Sequence, residues 1–113
     1  MDALFEKMKE YVKMEEEIAT QEFHAYYQEV MDKLQKDYDQ MDDEALFHYK
    51  LITTILAGNS SSRKSRKDQD SKKYKKMHEK STFWSNAIEY RLKQNGHSAD
   101  EIASRLETIE NEM

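Results

Sequence analysis

The residues best suited to chemistry are cations gathered in one place. The stretch Asn59–Lys80, NSSSRKSRKDQDSKKYKKMHEK, holds nine of the chain's eighteen Lys and Arg and only three acids, Asp68, Asp70 and Glu79. Lys and Arg clusters neutralise phosphates and release condensed counterions without demanding a fixed geometry. Serine hydroxyls and backbone N–H groups add phosphate contacts, and Tyr74 offers a ring on which a base of a single strand can stack. The nominated phosphate partners are Arg63, Lys64, Arg66, Lys67, Lys72, Lys73, Lys75 and Lys76. The last four fall in the first turns of an expected helix, where the macrodipole disfavours each exposed cation by ~0.3–1 kcal/mol. A bound anion relieves that conflict, and a helix N-terminus is itself an anion site. Three occupants fit the island: a nucleic-acid backbone held without sequence preference, an acidic protein surface (the chain's own included), or water around a solvated connector.

Other chemistry is poorly supported. The histidines are His24, His48, His78 and His97, and none forms a His-x-x-x-His or His-Glu-x-x-His pair. Glu44 and His48 stand one helical turn apart, and with His24 they could make a three-ligand metal site. An ordinary histidine beside an i−4 acid gives the same pattern. Carboxylates are so abundant that any one acid–base pair carries no signal. There is no phosphate-cradling glycine loop and no nucleophile elbow. The two glycines, Gly58 and Gly96, both sit at expected helix ends. The absence of cysteine removes disulfides, thiolate nucleophiles and Cys-ligated zinc. The expectation is a non-enzymatic protein requiring neither metal nor cofactor.

The elements that must carry the island are helices. The chain has no Pro and is rich in Glu, Lys, Met, Leu, Ala and Gln, which favours an all-α fold. Apolar residues recur at helical spacing from Leu4, Phe5 and Met8 through Phe23, Tyr26, Tyr27, Val30, Leu34, Tyr38 and Met41. They predict one N-terminal helix of about forty residues, roughly 55–60 Å long, with a kink possible at Glu15-Glu16-Glu17. Such a helix cannot bury its whole stripe in a 113-residue monomer, so an oligomer or coiled-coil-like pairing is expected. Asp42-Asp43-Glu44 caps a second helix, nearly apolar all round from Leu51 to Ala57 and therefore the most buried. Gly58-Asn59 stops it, and Ser60–Ser62 reads as loop.

A third helix starts near Asp68–Ser71 and ends at Asn95-Gly96. Ser98 and Glu101 form a capping box for a short last helix with Ile102, Ala103, Leu106 and Ile109 on one stripe. The prediction is thus one domain over 1–113, bundle-like, with a long N-terminal helix, three further helices and a basic loop at 59–71. The aromatics sit among aliphatics at core spacing. Tyr26 with Tyr27, and Phe83 with Trp84, are the candidate anchors for a protein interface, because Tyr and Trp dominate interaction hot spots. Adjacent residues diverge by roughly 100° on a helix, so one member of each pair should lie at the edge of the core.

Charge is segregated. Residues 1–59 carry fourteen acids against six bases, 60–80 three against nine, and 81–113 six against three, within a net charge of −5. No apolar run approaches a membrane span, and MDALFEKMKEYV lacks the apolar centre of a signal peptide. A soluble, cytoplasmic protein is expected. Helix-turn-helix reading of DNA is a poor match. The segment NGHSADEIASRL resembles an opening helix, but the chain then runs into the acidic ETIENEM. In the other register the reading helix would present Asp100, Glu101, Glu107, Glu110 and Glu112 with only Arg105.

The layout of a long N-terminal helix, a polar basic connector and a later helix ending in Leu92-Lys93-Gln94-Asn95-Gly96, with Ile102 six residues on, resembles recombination mediator proteins of tailed phages. That resemblance spans about forty residues. It implies a small helical oligomer that binds single-stranded DNA and helps to load a recombinase, and it assigns no individual residue a role. Two functions are therefore expected. One is an accessory protein that contacts nucleic acid through the basic segment and a protein partner through its helices. The other is a protein-binding adaptor or inhibitor that docks on a basic partner through its acidic faces, Glu15–Glu17 and Asp37–Glu44, without nucleic acid.

Overall fold

The computed structural model describes residues 3–14, 18–64 and 71–112, the side chain of Lys64 excepted. Five α-helices and a short 3-10 turn account for nearly all of them: α1 (Ala3–Lys13), α2 (Thr20–Asp37), the 3-10 turn (Tyr38–Gln40), α3 (Asp43–Lys64), α4 (Ser71–Gln94) and α5 (Ala99–Asn111). No strand occurs among the described residues. The all-α expectation therefore holds.

The centre is the α3–α4 pair. Helix α3 buries Leu46, Phe47, Tyr49, Leu51, Ile52, Thr53, Leu56, Ser60 and Arg63 around most of its circumference, as its apolar run predicts. Helix α4 buries one stripe: Tyr74, Met77, Ser81, Ser85, Ile88 and Leu92. Lys50 crosses between them. Its Nζ donates to the Ser85 hydroxyl (2.7 Å) and the Ser85 carbonyl (3.2 Å), and lies 3.5 Å from the Glu89 carboxylate. Those partners offset the cost of burying an ammonium. His78 Nδ1 lies 2.8 Å from the Ala57 carbonyl oxygen and supplies a second polar link.

The expected forty-residue N-terminal helix is not one helix. Met14, Ile18 and Ala19 are outside helical structure, and Ala19 is extended at φ −62°, ψ 152°. The Tyr26 hydroxyl donates to the Leu4 carbonyl at 2.7 Å, and the rings of Tyr11 and Tyr26 meet edge to face at 5.2 Å. In one straight helix Leu4 and Tyr26 would stand roughly 33 Å apart. Helix α1 folds back beside α2 instead, so the stripe of both helices, from Phe5 and Met8 to Leu34, is buried within the chain. The packing argument for a second subunit falls with the long helix. The acids Glu15–Glu17, where a kink is expected, lie outside the described residues.

Two arginines fasten α2 to the central pair. At its entry Arg63 Nη2 donates to the Ile18 carbonyl at 3.0 Å. At its exit Arg91 donates to the carbonyls of Tyr38 and of Met41, the latter at 2.8 Å, and covers the Tyr38 ring at 4.8 Å. Carbonyls near a helix C-terminus lack intrahelical donors, which makes them good guanidinium acceptors.

The remaining caps follow their sequence signals. Asp42 Oδ1 accepts from the Ala45 amide at 2.8 Å, and Ser98 Oγ accepts from the Glu101 amide at 3.1 Å. Gly96 adopts φ +103°, and the following amide of His97 bonds back to the Leu92 carbonyl at 3.1 Å. The expected stop at Gly58 is different. Helix α3 runs on through Ser60–Ser62 to Lys64, and Gly58 has no positive φ. Ile52, Leu56, Ser60 and Arg63 continue one buried stripe at spacings of four, four and three, so tertiary packing overrides the local C-cap signal.

Candidate functional site

The basic island divides into an inward and an outward part. Arg63 turns inward. It is 5% exposed; its guanidinium lies 4.3 Å from the Phe23 ring centroid and 5.5 Å from that of Tyr74, and its Nη1 donates to the Tyr74 hydroxyl at 3.1 Å. Tyr74 is 2% exposed, donates to Thr20 Oγ1 at 2.8 Å and meets Phe23 edge to face. Two expectations are thereby corrected. Arg63 is not a surface phosphate partner, because its donors are engaged inside the fold. Tyr74 is not a stacking platform for a base, because both its ring and its hydroxyl are enclosed.

The outward part is the first half of α4. Lys72, Lys73, Lys75, Lys76 and Lys80 are exposed, and none has an ion pair or side-chain hydrogen bond among the described residues. The first turn of α4 holds no acid that would complement the helix dipole. The backbone of Lys64 ends α3, while Arg66 and Lys67 lie outside the described residues.

Projected down α4 at 100° per residue, Lys72, Lys73, Lys76, Lys80, Phe83, Ala87 and Tyr90 fall within an arc of roughly 100°, opposite the buried stripe. Phe83 and Tyr90 are 63% and 65% exposed, and they share the outward face with the lysines. Glu79 borders this face and is the one acid beside the lysines among the described residues of α4's first half. From Lys76 to Tyr90 the face runs for roughly 21 Å. One rigid helix thus displays cations followed by two bare aromatic rings.

The expected protein-interface anchors separate. Tyr26 and Tyr27, at 1% and 6% exposure, belong to the chain's own core, and burial pushes the Tyr27 phenol up from its usual value. They are corrected from surface anchors to core residues, because α1 folds over α2. Phe83 stands in solvent. Trp84 is half-buried against Tyr38, with ring centroids at 5.2 Å, and touches Phe83 edge to face at 5.6 Å. The divergence of adjacent residues on a helix accounts for that split. Sequence reasoning misses Lys80 and Tyr90 as site residues, although Lys80 stands four residues from Lys76 and three from Phe83, and Tyr90 seven from Phe83, spacings that carry the signal.

The histidines go elsewhere. His48 stacks flat on Phe5 at 4.0 Å, and His24 packs tilted on Tyr27. No group of three metal-ligating side chains occurs among the described residues. His97 lies with Nε2 2.9 Å from Asp43 Oδ2 and Nδ1 3.6 Å from Glu101 Oε2, beside an open cleft between α3 and α5 lined by Phe47 and several acids. Helix α5 exposes Asp100, Glu101, Glu107 and Glu110, with Glu112 just beyond its end, a surface that repels phosphate. No helix among the described residues is long and apolar enough to cross a membrane. No family model, curated protein or solved structure matches the chain.

Proposed function

We propose that the protein is a non-enzymatic accessory factor that holds single-stranded nucleic acid along the outer face of α4. The observation that carries this reading is the shared face: exposed Lys72, Lys73, Lys76 and Lys80, then Phe83 and Tyr90. Lysines on one side of a helix follow a phosphate backbone, and exposed aromatic rings accept the π-faces of unpaired bases whatever their sequence. A duplex offers the same phosphates but keeps its bases stacked. Of the layout likeness to phage recombination mediators, the basic segment and the helix ending at Leu92–Gly96 remain, while the long N-terminal helix does not. Arg66 and Lys67, next to α4 in sequence, extend the cationic set.

The test is a titration of labelled oligonucleotides, single-stranded and duplex, DNA and RNA, at ~50 and ~200 mM salt. The expected result is tighter binding of single strands, with Phe83→Ala and Tyr90→Ala each costing ~1–3 kcal/mol. Equal binding of duplex and single strand, with both alanine variants silent, sinks the stacking part. No binding even at ~50 mM salt sinks the whole reading.

A second reading has one observation in its favour. Phe83, with the edge of Trp84, is a solvent-facing aromatic pair of the kind that anchors protein interfaces. In that case the chain is an adaptor or inhibitor, or self-associates through this pair. Recovery of one stoichiometric partner by a chain whose α4 lysines are neutralised favours the adaptor. A concentration-dependent mass that collapses with Phe83→Ala favours self-association.

A further inference from the structure

We propose that Arg63 is a positioning residue: it pins the first turn of α4 so that the lysines around Tyr74 are displayed outward, and it touches no phosphate itself. The functional consequence rests on the nucleic-acid reading above; the positioning concerns the chain alone.

Arg63 sits in the last turn of α3 and reaches three other segments at once. Nη2 donates to the Ile18 carbonyl on the way into α2 (3.0 Å), Nη1 donates to the Tyr74 hydroxyl in the first turn of α4 (3.1 Å), and the face of the guanidinium lies over the Phe23 ring in α2 (4.3 Å). Tyr74 closes the junction by donating to Thr20 Oγ1 (2.8 Å). Only a planar, always-charged fork donates in two directions while its face covers an aromatic ring. A lysine keeps the charge but presents a point donor with no planar face. The junction is nearly closed to water, so a displaced N–H or phenol would lose its partner without gaining a solvent one.

Position then follows from sequence. Lys72 and Lys73 precede Tyr74 and Lys75 and Lys76 follow it, so the azimuth of Tyr74 sets theirs. With Tyr74 held at the junction, Lys72, Lys73 and Lys76 point away from the bundle. Without it, the first turns of α4 retain Met77 as their next buried anchor.

Two measurements on the full chain test this. Hydrogen exchange is compared between native, Arg63→Lys and Arg63→Gln chains, and the affinity for a labelled oligothymidylate is followed across salt concentrations. The expected exchange result is a severalfold or greater loss of protection confined to the first turns of α4, in both variants, with protection after Trp84 kept. The expected binding result is a severalfold weaker affinity with an unchanged salt slope. Arg63→Lys exchanging like the native chain overturns the proposal, as does a uniform loss over α3 and α4. A slope reduced by about 0.7 in Arg63→Gln and restored in Arg63→Lys also overturns it, because that is the signature of a lost phosphate contact. If the native chain binds no oligonucleotide, the nucleic-acid reading fails, and the exchange pattern alone decides the role of Arg63.

Discussion

His97 shows how a single side chain bridges two helices, α3 and α5, at the acidic end of the molecule. A neutral imidazole carries one N–H, yet both ring nitrogens of His97 face carboxylates, Asp43 and Glu101. That setting favours the imidazolium. The hydrogen bond with Asp43 raises the His97 pKa above its ordinary 6.5, against a smaller opposing effect of desolvation. The same bond, followed by the one from Asn95, lowers the Asp43 pKa below its ordinary 3.8. The signs are opposite. The His97 contribution is complete below pH 6.5 and fades as pH rises through the folded-state pKa, whereas the Asp43 contribution is complete above pH 3.8 and fades as pH falls through its own. His97→Asn should therefore lower the thermal midpoint clearly at about pH 5.5 and less at about pH 9. Melting curves of both chains at the two pH values check this, and a loss independent of pH contradicts it.

Ser81 gives a second prediction at this scale. It is fully buried and its hydroxyl has no partner among the described residues, so Ser81→Ala removes an unsatisfied group. Denaturant titration should show a change from neutral to about 1 kcal/mol more stable. A loss above that size would reveal a hidden partner.

Arg63 marks the limit of reading single residues. Composition counts it with Lys64, Arg66 and Lys67, and nothing in composition says which cation turns inward. The helical register does say so, because Arg63 extends the Ile52–Leu56–Ser60 stripe. That signal is drowned locally by Gly58-Asn59 and three serines.

At the scale of elements, the turn between α4 and α5 was the most legible part of the chain. Gly96 at φ +103° and Ser98 over the Glu101 amide each follow a rule that depends on neighbours within four residues. Gly96→Ala should cost ~1–2 kcal/mol, since a Cβ is disfavoured at that φ although no atom lies within 4 Å of its place. Ser98→Ala should cost ~0.5–2 kcal/mol through loss of the cap. Chemical denaturation measures both, and an unchanged midpoint for Gly96→Ala would contradict the left-handed stop. The join between α1 and α2 was illegible for the converse reason. Its apolar residues recur at helical spacing on both sides of Glu15–Glu17, which interrupts the stripe, and no Gly or Pro marks the reversal. The cause of the reversal is non-local: the Tyr26–Leu4 bond and the Tyr11–Tyr26 contact join residues that periodicity treats as distant. The fold class was recoverable because every apolar stripe had a helical period. The arrangement of the helices was not, because a stripe does not name its partner.

At the scale of the whole molecule, the chain is an acidic bundle about 43 × 25 × 25 Å with one cationic helix end. Helix α4 ties the two together. Its buried stripe is tied to α3 by the Lys50–Ser85 hydrogen bonds, and its outer face carries lysines and then Phe83 and Tyr90. On the proposed nucleic-acid reading, a body of opposite charge behind the basic face would keep polyanions off the rest of the surface and orient them along α4. Phosphates are thus expected to meet the α4 lysines and no other surface. The most direct test is the slope of log K against log salt for a labelled single-stranded oligonucleotide, measured for the native chain and for a chain with Lys72, Lys73, Lys76 and Lys80 all changed to Gln. The predicted result is a steep slope in the native chain that shrinks by about 0.7 for each lysine that meets a phosphate. A native slope near zero, or one that the four substitutions leave unchanged, would contradict it.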